Sequence, residues 1–276
     1  VRATLLEPSD QSQVEDLLFE APADHIFLLG MLQRRQIGVH TDETWWGVRD
    51  EENRFVGLAF LSKGSTSAGP GLWTCAGDEA AGAVLGAVLG AAPLPAMCIG
   101  PRAMVDGLWE ALGSPAHRLA ASSRIYQCGQ VLPGEGLDVR QCTMSDLPWL
   151  REASVAMMRE DLGIDPRSTD PEAHEARLIG SIMAGRSYVG TIDKARVFRL
   201  VVGTQCSHGA QVGGTWVPPA YRGKSIGARG MRAVCALLLE SMPLVVLHVQ
   251  ESNRPAVDCY TQIGFTPSCP LRLLVR

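Results

Sequence analysis

The residues best suited to chemistry lie between Ala210 and Phe265. Ala210 to Val217 is strand-like and holds Gly213-Gly214, and paired glycines in a strand mark a bulge or a close backbone approach by a ligand. Pro218-Pro219 stops the strand. The run Tyr221-Arg222-Gly223-Lys224-Ser225-Ile226-Gly227-Ala228 then leads into a helix that sets Met231, Val234, Cys235 and Leu238 along one face. A strand, a glycine-bearing turn and a helix start make an anion site, because unpaired N–H groups point outward and the helix dipole adds positive potential. Arg222, Lys224, Arg229 and Arg232 add charge of the same sign. A pyrophosphate fits such a place.

Three kinds of phosphate binder compete for this pattern. Gly223, Gly227 and Gly230 do not have the G-x-G-x-x-G spacing of a dinucleotide fold. Gly223-Lys224-Ser225 reproduces the end of a P-loop, but its first glycine would fall at Pro218, which has a fixed φ and no N–H. The next strand, LVVLHVQ, also lacks an aspartate that could help hold magnesium. The third pattern fits. Arg222, Ser225 and Gly227 fall on the [Q/R]-x-x-G-x-[G/A] loop of the GCN5-related N-acetyltransferases (GNAT), with serine where glycine is usual. Downstream, Asn253, Ala256, Tyr260, Gly264 and Phe265 match that family's N-x-x-A-x-x-x-Y-x-x-x-G-F motif in order and separation. Residues 139–276 therefore resemble a complete domain of this kind. The whole chain, including its W-V-P-P-x-Y-R-G run, resembles bacterial tandem acetyltransferases whose N-terminal unit is degenerate.

The resemblance implies an acyl-CoA-dependent N-acyltransferase, with acetyl-CoA or another acyl-CoA as co-substrate and no metal. Acetyl would pass to the primary amine of a small molecule by direct attack in a ternary complex. A protein N-terminus or lysine as acceptor, or a CoA-binding sensor without turnover, are the alternatives. It places cofactor contacts at Thr215, Trp216, Val217, Arg222, Gly223, Lys224, Ser225, Ile226, Gly227, Ala228, Asn253 and Tyr260. A backbone N–H near Thr215 would polarise the thioester carbonyl as an oxyanion hole does. Tyr260, protonated at neutral pH with an ordinary pKa near 10, would give a proton to the departing thiolate. Asn253 would contact pantetheine or cap the last helix. For the base there are two candidates: Glu251 at the end of a strand, and the Glu160–Asp161 pair in a turn expected between two helices, where it would hold an ammonium. His248 is expected to be buried, and His208 to sit in a Ser-His-Gly hairpin turn.

The elements that must position these groups occur twice. A strand, then Pro8-Ser9-Asp10, then an apolar stretch through Val14, Leu17 and Leu18 opens the chain. VRQC, Met144-Ser145-Asp146 and a stretch through Leu150, Ala153, Ala156 and Met157 open its second half, with Ser or Asp at each helix N-cap. WWGVRDEENRFVGLAFL and SYVGTIDKARVFRLVVG each read strand, charged turn, strand. The expected fold class is α+β. Two tandem GNAT-like domains follow from the resemblance, each a mixed, mostly antiparallel sheet flanked by helices. The boundaries fall at 1–133, non-catalytic, and 139–276, catalytic, around a Pro133-Gly134-Glu135-Gly136 hinge. In the first half Gly77-Asp78-Glu79 takes the loop position, and two carboxylates at a helix start repel a pyrophosphate.

Composition bounds the rest. With 276 residues, 46% hydrophobic side chains and a formal net charge of −4, the chain is globular and offers no general attraction to nucleic acid. Eight scattered cysteines without a C-x-x-C pair suit a reducing compartment, and the cytoplasm is expected. The uncharged stretch from Ala80 to Pro101 carries Gly82, Gly86 and Gly90 at small-xxx-small spacing. Pro93 and Pro95 cut it too short for a membrane, so a helix whose glycine edge packs on a sheet is expected. A monomer or homodimer with no membrane partner is the corresponding expectation.

Overall fold

The computed structural model describes residues 1–40, 42–63 and 70–276. Two compact units emerge. The first comprises Val1–Ile125, Gln250–Ser252 and Ser268–Arg276; the second comprises Tyr126–Val249 and Asn253–Pro267. The division falls before the expected hinge, and the last residues of the chain count with the first unit.

The first half of the chain runs β1 (Arg2–Leu5), α1 (Gln11–Phe19), α2 (Ile26–Arg34), β2 (Glu43–Arg49), β3 (Phe55–Lys63), β4 (Pro70–Gly77), α3 (Glu79–Leu89), β5 (Met97–Pro101), α4 (Arg102–Ala111) and β6 (Leu119–Cys128). The second half runs β7 (Asp138–Gln141), α5 (Leu147–Leu162), α6 (Pro166–Thr169), α7 (Pro171–Met183), β8 (Ser187–Ile192), β9 (Ala195–Cys206), β10 (Gly209–Trp216), α8 (Ile226–Leu239), β11 (Val245–Gln250), α9 (Arg254–Gln262) and β12 (Thr266–Val275). Apart from the short α6, the order is the same. So is the pairing: β1 to β4 and β7 to β10 form antiparallel meanders, and β4 then pairs β5 in parallel as β10 pairs β11. The last strand breaks the symmetry. From Leu271 to Val275, β12 pairs antiparallel with β5, completing the first unit's sheet.

In the first unit Asp78 caps α3 by accepting from the Ala81 N–H at 2.9 Å. The glycine edge of α3 packs on another helix rather than on the sheet. A Cβ at Gly82 would stand 2.1 Å from the Met104 carbonyl oxygen, and one at Gly86 2.5 Å from that of Leu108, both on α4. Glycine is what lets the two backbones close, and Gly90 takes no part in the contact. At eleven residues α3 is far short of a bilayer span, and no helix among the described residues is long and apolar enough to cross a membrane.

In the second unit two helix layers cover the sheet. Met231, Val234 and Cys235 of α8 are fully buried with Phe198, Ile263 and Phe265, along the face the periodicity predicts. Gly230 lies so close to Phe198 that a Cβ there would meet the ring at 2.6 Å. On the opposite face Leu147 and Leu150 of α5 pack with Leu178 and Ile182 of α7 over Val189 of β8.

One buried charge fixes the start of α5. Asp146 closes a capping box with Thr143 and is fully buried. It accepts from both Arg140 Nη atoms at 2.7 and 2.9 Å, from Arg196 Nε at 2.6 Å and from the Thr143 N–H at 2.8 Å. The Arg140 hydrogen bonds, opposed by burial and joined by Thr143 and Arg196, hold its carboxyl well below the usual range. A depressed carboxyl contributes stability above its unfolded pKa of about 4 and loses it as the pH falls toward the folded value. Asp146→Asn is therefore expected to cost about 3 kcal/mol at pH 7. In urea unfolding the gap to the wild type should narrow steadily below pH 4; a gap that stays constant there would contradict the assignment.

Candidate active site

The site begins with a break in β10. Its parallel pairing with β11 covers only Ala210 to Val212, opposite Val245 to Leu247, and the strand then runs on without that neighbour. On its other side the register passes from Gly213–Val201 to Trp216–Arg199, so Gly214 and Thr215 together oppose the single residue Leu200. This is a β-bulge, and Gly214 takes its left-handed position at φ +59°. The paired glycines thus mark both a bulge and an opening between β10 and β11. The Thr215 backbone is left outside the regular ladder.

Beyond Trp216 the chain turns through Pro219–Tyr221 into α8. Gly223 (φ +73°) and Ser225 (φ +56°) are both left-handed. The first intrahelical bond of this helix runs from the Arg229 N–H to the Ser225 carbonyl, so the N–H groups of Ile226, Gly227 and Ala228 precede it. Ser225 occupies the N-cap without bonding any of them through its side chain. Buried Ile226 pins the turn, while Arg222 to Ser225 are exposed. A Cβ at Gly223 would meet nothing within 4 Å, and one at Gly227 nothing nearer than Val217 and Cys259 at 3.9 Å. The result is an open cradle of backbone donors at a positive helix end.

Serine suits the left-handed position poorly. Its Cβ costs about 1–2 kcal/mol there, of which glycine returns part as unfolded-chain entropy. Ser225→Gly is expected to raise the thermal midpoint by about 1–2 °C and to tighten binding of a nucleotide pyrophosphate; a lowered midpoint would show that Ser225 holds the turn.

Arg222 faces away from a purely phosphate-binding role. Its Nη2 pairs with Glu160 Oε2 at 2.7 Å, and its Nε donates to the Val217 carbonyl at 3.0 Å. Trp216 Nε1 donates to the same Glu160 oxygen at 3.3 Å. The arginine therefore ties the end of β10, the loop and the end of α5 together. Lys224 lies against its own turn, with Nζ 3.4 Å from the Ala220 carbonyl and 5.7 Å from the Tyr221 ring.

Glu160 and Asp161 lie in the last turn of α5 rather than in a loop. Left-handed Gly163 (φ +65°) stops the helix only after them. Carboxylates at the negative end of a helix are disfavoured, and Arg222 answers Glu160 there. The Asp161 carboxyl is pushed above its ordinary value by desolvation and by Glu160, with Arg222 opposing.

Tyr260 of α9 is half-buried, with its ring 6.0 Å from that of Phe265. Burial pushes its hydroxyl well above the usual range; Cys259 and Asp161 add to this, and a hydrogen bond with the Thr215 side chain opposes it. Thr215 in turn donates to Met231 Sδ at 3.4 Å. Burial also raises the neighbouring Cys259 thiol to about 11.

Two other candidates are engaged elsewhere. Asn253 caps α9, accepting from the Ala256 N–H at 3.3 Å. Glu251 belongs to the first unit, where Arg102 and Arg124 bind its two oxygens at 2.8 and 3.0 Å. Burial would raise its carboxyl, but these guanidinium groups outweigh that and lower it, the opposite of what a base requires. His248, expected to be buried, is half-exposed on β11, and His208 lies with Ser207 in the two-residue turn between β9 and β10.

A bulged strand that leaves its parallel neighbour and enters a helix through an open amide cradle defines an acetyltransferase-type fold. Residues 146–265, most of the second half of the chain, match the model of the acetyltransferase (GNAT) family. Family members use acetyl-CoA as co-substrate. No match to the chain is found among curated proteins. Among solved structures, a GCN5-related N-acetyltransferase from Sphaerobacter thermophilus is similar at a TM-score of 0.63 and 15% identity, over 99% of this chain and 94% of that one. A GNAT-family acetyltransferase from Colwellia psychrerythraea is similar at 0.57 and 14%, over 100% of both chains. A tandem GNAT protein from the clavulanic acid biosynthesis pathway is similar at 0.54 and 16%, over 100% of this chain and 98% of that one. These likenesses concern the fold.

Proposed function

We propose that the chain is an N-acyltransferase that moves acetyl from acetyl-CoA to the primary amine of a small molecule in a ternary complex. The observation that carries this reading is the juxtaposition of three features: the bulge at Gly214–Thr215, the amide cradle at Ile226–Ala228, and the Tyr260 hydroxyl at Thr215. The cradle suits a pyrophosphate, since three N–H groups and the helix dipole face it and no side chain fills it. The unpaired edge of β10 offers backbone groups to an extended pantetheine, and the Thr215 N–H is available to a thioester carbonyl. Tyr260 stays protonated throughout the working range and donates to the departing sulfur.

Asp161 serves as the proton acceptor for the ammonium, because its raised carboxyl is the better base and acts on Tyr260. Glu160, held by Arg222 and Trp216, shapes the cleft. The high Cys259 pKa argues against a covalent acyl-thiol relay and for direct attack. The first unit is non-catalytic in this reading. Its corresponding helix start carries Asp78 and Glu79, and the Asp78 side chain already occupies an N–H there.

Calorimetry with acetyl-CoA, followed by a CoA-release assay over an amine panel, tests the proposal. Saturable binding with turnover of at least one small amine is expected. Binding without any thiol release would make the chain a sensor instead.

A further inference from the structure

The proposed reaction leaves one buried charge unused. Arg199 on β9 is only 3% exposed, and among the described residues its Nε and Nη1 have no hydrogen-bond partner. An unanswered guanidinium inside a protein is strongly destabilising, and such groups persist where function requires them. The same unit shows how a buried charge is normally treated, with Asp146 bound by two arginines. Among the described residues no carboxylate serves Arg199 in this way: burial lowers its pKa to about 10, opposed by the Cys142 thiol.

Its location ties this charge to the site. Phe198 packs toward α8, so alternation along β9 turns Arg199 to the opposite face, that of α5 and α7. Its cross-strand neighbours are Val189 on one side and Trp216, just beyond the bulge, on the other. Arg199 Nη2 lies 3.5 Å from where a Gly214 Cβ would stand, and Met157 Sδ of α5 lies 3.8 Å from the same point. A second unanswered group stands close by. His174 on α7 is 6% exposed with Nε2 unpartnered, and it is one turn from Leu178, which packs over Val189. Burial first, and then the charges of Arg177 and Arg199, keep it neutral.

The bulge that releases Thr215 thus also opens β10, at a residue without a side chain, onto a guanidinium that lacks an anion. We infer that Arg199 receives a carboxylate carried by the acceptor, so that the acceptor is an amino acid or another amine bearing a carboxylate. The planar fork offers two parallel N–H bonds to such a group, and His174 adds a third donor in the tautomer protonated at Nε2. This rests on the acyltransferase reading above.

The full chain tests it in two steps. Acetyl-CoA affinity and CoA release over amino acids, each matched with its decarboxylated amine, are measured first. At least one pair is expected to favour the carboxylated member about a hundredfold or more in kcat/KM. Arg199→Gln should then raise KM for that acceptor about a hundredfold, Arg199→Lys less, with acetyl-CoA affinity within twofold of wild type in both. Absent acetyl-CoA binding would overturn the acyltransferase reading itself. Normal acetyl-CoA binding with no preference for the carboxylated partner, or with KM unmoved in Arg199→Gln, would overturn this inference alone. Calorimetry with N-acetylglycine in the presence of CoA needs no variant to fold: wild-type binding is expected, and none at millimolar concentration would also overturn it.

Discussion

Aspartate at position 227 is expected to weaken acetyl-CoA binding at least a hundredfold while the protein stays folded. The first half of that statement follows from charge. Gly227 lies in the first turn of α8, where three backbone N–H groups and the dipole face outward, and a carboxylate there both occupies the donors and repels a pyrophosphate. A hundredfold change corresponds to about 2.7 kcal/mol, modest for an unscreened like-charge contact. The second half follows from space. A Cβ at Gly227 meets nothing nearer than 3.9 Å, and an acidic residue in a first helical turn is mildly favourable. Calorimetry paired with a melting curve checks both halves. A folded Gly227→Asp chain that binds acetyl-CoA normally would remove the cradle as the anion site. Arg222→Glu is a less clean probe, because it also breaks the pair with Glu160 and sets three carboxylates at the end of α5.

Removing one oxygen atom at Tyr260 should slow turnover about 10²- to 10³-fold with acetyl-CoA affinity within twofold. The ring of a Tyr260→Phe variant keeps its place 6.0 Å from Phe265, so packing is retained and only the donor is lost. The pH profile supplies a second reading. Because the hydroxyl is held above its ordinary value, it stays protonated well beyond pH 9, and under the proposed role no alkaline fall in rate should come from this group. A Tyr260→Phe enzyme with a wild-type rate would assign the proton to another source.

Much of this was legible from residue types alone. Gly213-Gly214 announced a bulge, Pro218-Pro219 the end of the strand, and Met231, Val234, Cys235 and Leu238 the buried face of α8, because each rests on local backbone or periodicity rules. What stayed hidden was pairing across distance. Nothing in the run around Glu160 says that Arg222 will claim it, and nothing at Glu251 announces Arg102 and Arg124, since an ion pair depends on where the fold brings two long side chains. The end of α5 was misplaced by one turn because Gly163, rather than the acidic pair, supplies the stop. The glycine edge of α3 was legible as a close approach, but whether a sheet or a helix closes on it is decided by α4. Arg199 was invisible for the opposite reason. In sequence it is one arginine among strand residues, and what sets it apart is that among the described residues nothing accepts from its buried Nε and Nη1.

The exchange at β12 has a consequence for how the chain comes into being. The strand that pairs with the outer edge of β5 follows it in the chain by some 170 residues. Until that strand emerges β5 is paired with β4 alone, and its other edge presents unpaired N–H and C=O groups open to aggregation. The sheet of the first unit cannot close at β5 until the residues of the second unit that precede β12 have been translated. Loss of Ser268–Arg276 would leave the cradle and Tyr260 in place and open the edge of β5 instead. The first unit thus depends on residues that follow the second in the chain, an order of assembly set by connectivity rather than by any single contact.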